Sequence, residues 1–202
     1  MYGLSLYAAP GTEPVSLAEA KAHLRVTHTD EDSLIAELIA AARQWFEEQT
    51  YRALVTQTWD LKLDEFPRGE DPIRLPRAPL QSVTSITYTD TVGATQTLAA
   101  AAYVVSATRQ PGVIRPAYGY VWPEAQDKPD AVTVRFVAGY GAAAAVPAQI
   151  KAAIKLLIGQ LYEFREQLTE RPTQEIPAGA QRIMQLYDLG DELLEYGATS
   201  VP

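Results

Sequence analysis

Residues 30–50, DEDSLIAELIAAARQWFEEQT, carry apolar side chains at Leu34, Ile35, Leu38, Ile39, Ala42, Trp45 and Phe46. This three-and-four spacing predicts a long helix with one wide face to bury. Asp30 or Asp32 is placed to cap its first turn, where Glu31 and Asp32 also suit the positive end of the helix dipole. The opposite face (Glu37, Arg43, Gln44, Glu47, Glu48) is polar, hence expected to be exposed. Ahead of it, residues 16–26 form a short helix, with Ser16 as N-cap and Glu19 three positions on, the spacing of a capping box. A second long helix is expected over 147–167. Pro147 fits its first turn, and Ile150, Ile154, Leu157, Ile158, Leu161 and Tyr162 form the face that should pack on the 30–50 helix.

Between the two long helices the period changes to two. Residues 53–66 alternate, with Val55, Gln57, Trp59, Leu61 and Leu63 on one side and Thr56, Thr58, Asp60, Lys62 and Asp64 on the other. They predict a half-buried strand. The prolines of IRLPRAPL keep that piece at a sheet edge. Further strands are expected over 82–89, near 95–98, 103–106 and 112–115, and over 131–138. Turn-spaced short strands of this kind suggest a compact antiparallel sheet or small barrel. After Arg171-Pro172 the pattern loosens, and a third amphipathic segment covers 180–196. The expected fold is α+β, a helical core of two long helices and a short N-terminal one, with a small antiparallel β insertion over 53–138. Residues 1–14 read as an extended arm, 15–171 as the main domain and 172–202 as a helical C-terminal tail.

Composition narrows the function by exclusion. The 202 residues hold 17 basic and 25 acidic side chains, a net charge of −8, which argues against a protein that grips nucleic acid through its phosphates. Cysteine is absent, so disulfides, thiolate metal sites and cysteine nucleophiles are excluded. No stretch is apolar enough to span a membrane, and the start of the chain lacks the basic residues of a signal peptide.

Candidate chemistry is sparse. His23 and His28 lie near Asp30 and Asp32, but at no spacing that makes a recognisable metal motif. Asp64–Glu65 and Glu70–Asp71 flank a turn and read as solvated residues rather than an acid–base pair. The serines lack a nucleophile elbow. Gly139 and Gly141 sit between strand and helix without the Lys-Ser/Thr of a phosphate loop, and read as a packing turn. No catalytic residue, cofactor or metal is expected. Tyr118, Tyr120 and Trp122 form an aromatic loop that, if exposed, suits a protein-binding or sugar-binding surface; folding back on its own sheet is the alternative.

Five stretches in fixed order carry a family resemblance: PVSLAEAKAHLRV, DEDSLIAELIAAARQWFEEQTYRALVTQTW, IRLPRAPLQSVTSITYTD, AVTVRFVAGYG and VPAQIKAAIKLLIGQLYEFRE. Over roughly residues 14–166 the chain resembles the head–tail connector (adaptor) proteins of long-tailed bacteriophages and prophages. The most specific phrases are W-F-E-x-x-T-x-R-A-L and L-P-R-x-P-L-x-S-V. The resemblance implies a structural virion protein of the neck, made in the host bacterial cytoplasm. It implies about twelve copies in a ring, a portal protein on one side, a stopper or tail-completion protein on the other, and DNA passing through the lumen. An acidic ring would repel the phosphate backbone and let DNA slide.

On this reading the amphipathic tail, through Ile183, Leu186, Tyr187, Leu193, Leu194 and Tyr196, is the candidate portal contact. Arg43, Glu47 and Glu48 of one copy are candidates to meet Arg74, Arg77 or Arg135 of the next. The alternatives are a stopper or tail-completion protein of the same neck, or a β-rich carbohydrate-binding module using Tyr118, Tyr120 and Trp122.

Overall fold

The computed structural model describes residues 2–163 and 176–190. Helices α1 (Leu17–Leu24), α2 (Asp32–Thr50), α3 (Ala148–Glu163) and α4 (Ala178–Tyr187) pack together on one side. Eight strands form the other: β1 (Tyr2–Ala8), β2 (Gln57–Leu63), β3 (Ile73–Leu75), β4 (Leu80–Thr89), β5 (Thr95–Thr97), β6 (Tyr103–Ser106), β7 (Gly112–Pro116) and β8 (Val132–Ala138). They make a five-stranded antiparallel sheet in the order β1-β2-β8-β4-β5 and a three-stranded sheet in the order β3-β7-β6.

The fold is α+β, but the expected helical core with a small insertion understates the sheet. There are two cores, one among the helices and one among the strands. The expected arm supplies β1, which pairs with β2 from Tyr2↔Leu63 to Ala8↔Thr58. A strand whose partner lies far along the chain leaves no local signal beyond a short alternation.

Helix α1 starts as the capping box predicts: the Glu19 N–H donates to Ser16 Oγ at 3.2 Å and the Ser16 N–H to Glu19 Oε2 at 2.8 Å. The α2 cap differs from expectation. Glu31 holds the N-cap position without a side-chain cap bond; Asp32 instead pairs with Lys21 of α1, and the Tyr162 hydroxyl of α3 donates to Glu31. Tertiary partners have taken the acids that local chemistry assigned to the helix end. The apolar face of α2 (Ile35, Ile39, Ala42, Phe46) meets Ile150, Ile154, Leu157 and Ile158 of α3, with Ala180 and Met184 of α4 closing the cluster. Each fully buried Ile or Phe contributes roughly 1.5–3 kcal/mol of hydrophobic stabilisation.

In the larger sheet β8 is central and alternates cleanly between buried and half-buried positions. Its register with β2 puts Trp59 opposite Phe136 and Leu61 opposite Val134. Ile73, Leu75 and Ile114 of the small sheet share the core with Leu61, Val134, Phe136 and Ile86 of the large one. β3 lies at an edge, as its prolines predict. β2 is shorter than the predicted 53–66 strand, because Leu54 and Val55 turn toward the helical core.

The Gly139–Gly141 turn joins the two halves. The Gly139 N–H donates to Pro79 O at 2.9 Å, Tyr140 N–H to Leu54 O and Thr56 N–H to Gly141 O, each at 3.0 Å. Gly139 has φ 125°, and a Cβ there would lie 2.5 Å from the Val55 carbonyl oxygen, so only glycine fits.

Candidate functional site

A polar network stands where the end of α2 meets the sheet. Glu47 accepts the N–H of Leu54 at 2.8 Å, the Gln57 amide and Arg43 Nη1, the last also at 2.8 Å. Arg43 Nε reaches Glu13 at 2.7 Å. Two residues of the polar face expected to be exposed are therefore inside, Arg43 at 7% and Glu47 at 5% exposed, while Glu37, Gln44 and Glu48 stay on the surface. Glu47 is buried because it covers the entry to the sheet, whose backbone and side-chain amides need an acceptor.

Burial pushes the Glu47 carboxyl above its ordinary range, against the pull of the Leu54 N–H and of Arg43. For Arg43, burial opposes the charge, and the bond to Glu13 and the field of Glu47 outweigh it, so its guanidinium titrates higher still. Arg77 is half-buried: its Nη1 donates to Glu47 O at 2.6 Å and its guanidinium lies over the Trp59 ring at 4.7 Å. Burial pulls its pKa down, with Glu47 and Glu48 resisting. Arg135 grips Asp60 with two bonds of 2.8 Å and covers the Tyr7 ring at 3.4 Å. Thus Arg43, Glu47, Arg77 and Arg135 hold their own chain together in the single copy.

Arg74 takes a different place. With Pro72, Arg109, Gln110, Pro111, Val113 and Arg115 it lines an open cleft of about 260 Å³ on the outer face of the small sheet. The register explains the convergence. Arg74 faces Val113 across β3 and β7, Arg115 is two residues further on the same face of β7, and Arg109 comes from the loop between β6 and β7. Neither Arg109 nor Arg115 stood out in the sequence; the alternation G-V-I-R could have flagged Arg115. Three cations in one place on an acidic chain suit a carboxylate-bearing protein surface.

The aromatic loop is only partly what its sequence suggests. Tyr118 is fully exposed, and Tyr120 and Val121 are exposed beside it. Trp122, by contrast, is 8% exposed. Its ring stacks on Phe66 at 5.3 Å, and its Nε1–H donates to Asp71 O at 2.8 Å. It is a core residue, since Phe66, brought from another loop, offers it a flat apolar partner.

In α4, Ile183 and Tyr187 pack partly against the helical core, and Arg52 lies over the Tyr187 ring and donates to its carbonyl. Leu186 is 76% exposed. Leu193, Leu194 and Tyr196 lie outside the described residues. His28 sits about 4 Å from Asp30 and Glu31, while His23 is beside Gly159 of α3, so the fold draws the histidines apart. Among the described residues no group of three His, Asp or Glu is arranged to hold a metal, and no helix is long and apolar enough to cross a membrane.

Residues 14–106 match the family described as phage gp6-like head-tail connector protein. The resemblance to head–tail connectors holds. Among solved structures, the chain is similar to a protein in the "neck of empty GTA particle computed with C6 symmetry", GTA being a gene transfer agent. That match has a TM-score of 0.77 and 24% identity, over 92% of this chain and 95% of the other. A protein in the "virion of native gene transfer agent (GTA) particle" matches with TM-score 0.76 and 25% identity, over 92% and 94%. A third, from the "neck of native GTA particle computed with C12 symmetry", has TM-score 0.75 and 24% identity over the same shares. No curated protein sequence matches. The connector likeness reaches from α1 through β6, and the shared fold extends over both cores.

Proposed function

We propose that this protein is a structural subunit of a virion neck, a head–tail connector (adaptor) without catalytic role. In this reading several copies form a ring between the portal and the stopper or tail-completion protein, and DNA passes through the lumen without sequence-specific contact. The observation that carries it is the fold: nearly the whole chain superposes on proteins of gene-transfer-agent necks, and its N-terminal half matches the connector family. The C12 symmetry applied to one of those necks supports a ring of about twelve copies. Synthesis in the host cytoplasm followed by incorporation at the head–tail junction belongs to the same proposal.

The exposed Leu186 and the residues beyond it, Leu193, Leu194 and Tyr196, are the proposed portal contact. The ring contact uses Glu48, exposed on α2, and Arg74, in the cleft that it lines with Arg109 and Arg115. A stopper or tail-completion role in the same neck is the second reading, supported by the large share of β structure. For the sugar-binding alternative, burial of Trp122 leaves only Tyr118 and Tyr120 as a platform.

The decisive experiment mixes the purified protein with the portal protein of the same genome and reads mass photometry and negative-stain images. A ring stacked on the portal is expected. A protein that stays monomeric and ignores the portal would overturn the adaptor reading. Because α4 buries Ala180 and Met184, the portal contact is tested by deleting only 191–202; binding should be lost with unfolding unchanged.

A further inference from the structure

We propose that the five-stranded sheet continues from one copy of this chain into the next, the free edge of β1 pairing with residues 81–85 of β4 in an adjacent copy. The proposal rests on the ring reading above. Among the described residues β1 has a strand on one side only, β2. β5 lies along β4 only from Thr87 to Thr89, extended by the bond from Leu98 N–H to Ile86 O. Among the described residues, 81–85 therefore have β8 on one side and no strand on the other.

These two openings are matched in position, direction and chemistry. They lie at opposite ends of the row β1-β2-β8-β4, about 15 Å apart at ordinary strand spacing. A closed ring needs such an arrangement, because each copy must offer its neighbours two different surfaces. Every neighbouring pair in the row is antiparallel, so β1 and β8 run one way and β2 and β4 the other. An incoming β1 beside β4 then continues the antiparallel alternation without inversion of the copy.

Exposed edge strands are commonly blunted by charge or proline, yet neither YGLSLYA of β1 nor QSVTS of β4 contains either, in a chain that is 21% charged. The irregularities that these segments do carry are register shifts at Leu6/Ala8, Leu80/Ser82 and Val83/Ser85. Leu6 and Tyr7 stand exposed on the β1 edge. β-Strand addition uses such an edge, with main-chain hydrogen bonds for affinity and alternate side chains for register.

Registers across the sheet supply the test. Ser5 faces Asp60, Asp60 faces Arg135, and Arg135 faces Ser85. Ser5 and Ser85 thus share one face at opposite ends of the row. The chain has no cysteine, so Ser5→Cys and Ser85→Cys introduce the only thiols. Rings of the double variant, formed alone or on the portal and verified by mass photometry, are treated with a short bismaleimide. The expected result is a ladder of covalent multimers up to the full ring, with none from either single variant. Rings that form without the ladder, or thiols that capture another neck protein instead, would overturn the sheet continuation and leave the ring intact. Absence of any ring would overturn both.

Discussion

The carboxylate of Glu47 accepts the backbone N–H of Leu54 at 2.8 Å, so one acid fastens the last turn of α2 to the entry of the sheet. Glu47→Ala removes that acceptor and also leaves Arg43 buried with Glu13 alone. A loss of about 3–5 kcal/mol is expected, read as a lower urea midpoint. Glu47→Gln keeps an acceptor oxygen and should lose about 1–3 kcal/mol. Equal midpoints for wild type and Glu47→Ala would refute the fastening role.

Trp122 and Tyr118 belong to one loop and should behave oppositely. Trp122→Ala empties the site beside Phe66 and orphans the Asp71 carbonyl, with an expected cost of about 3–5 kcal/mol. Tyr118→Ala removes a fully exposed ring and should change stability by less than about 0.5 kcal/mol. Denaturant midpoints of the two variants decide the matter; similar losses would show that the loop packs otherwise.

Gly139→Ala should cost more than a generic surface change. Its φ of 125° and the 2.5 Å approach to the Val55 carbonyl combine backbone strain with a clash, each of order 1–3 kcal/mol. Thermal unfolding is the readout, and a melting temperature within a degree of wild type would count against it.

The Ser16–Glu19 capping box gives a dependence on acid. Backbone and side-chain bonds from Ser16 hold the Glu19 carboxyl below its ordinary value of 4.5. Because its folded-state value is the lower one, this stabilisation is present above the unfolded value and is lost as pH falls through the folded one. Between pH 7 and pH 3 wild type should lose more thermal stability than Glu19→Gln. Parallel losses would contradict this. Ser16→Ala should cost about 1 kcal/mol at neutral pH.

The sequence was most readable where a partner is close or a period is long. The capping box, the apolar face of α2, that of α3 except for the exposed Leu161 and the alternation of β8 appear where their residues predict them. Misreadings came from partners supplied by distant segments. The face of Arg43 and Glu47 looks solvated on a helix considered alone, but Leu54 and Gln57 cover it. Trp122 lies in a loop rich in turn residues, and only Phe66 from a different loop makes the place apolar. β1 has a partner 50 positions or more downstream, beyond any local window. The cleft of Arg74, Arg109 and Arg115 likewise exists only once β3 and β7 are in register.

The central position of β8 sets the order in which the molecule can be finished as it is synthesised. β1, β2 and β4 all emerge before it, yet β8 is the strand that stands between β2 and β4. Until Val132–Ala138 leaves the ribosome, the nascent chain holds two unconnected pieces of sheet with their apolar sides in water. α1 and α2 wait longer still, for α3. Pairings this far apart in sequence form slowly, so the chain must stay soluble while most of its length is unfinished. The acidic residues spread along it, which keep like chains apart, serve that interval.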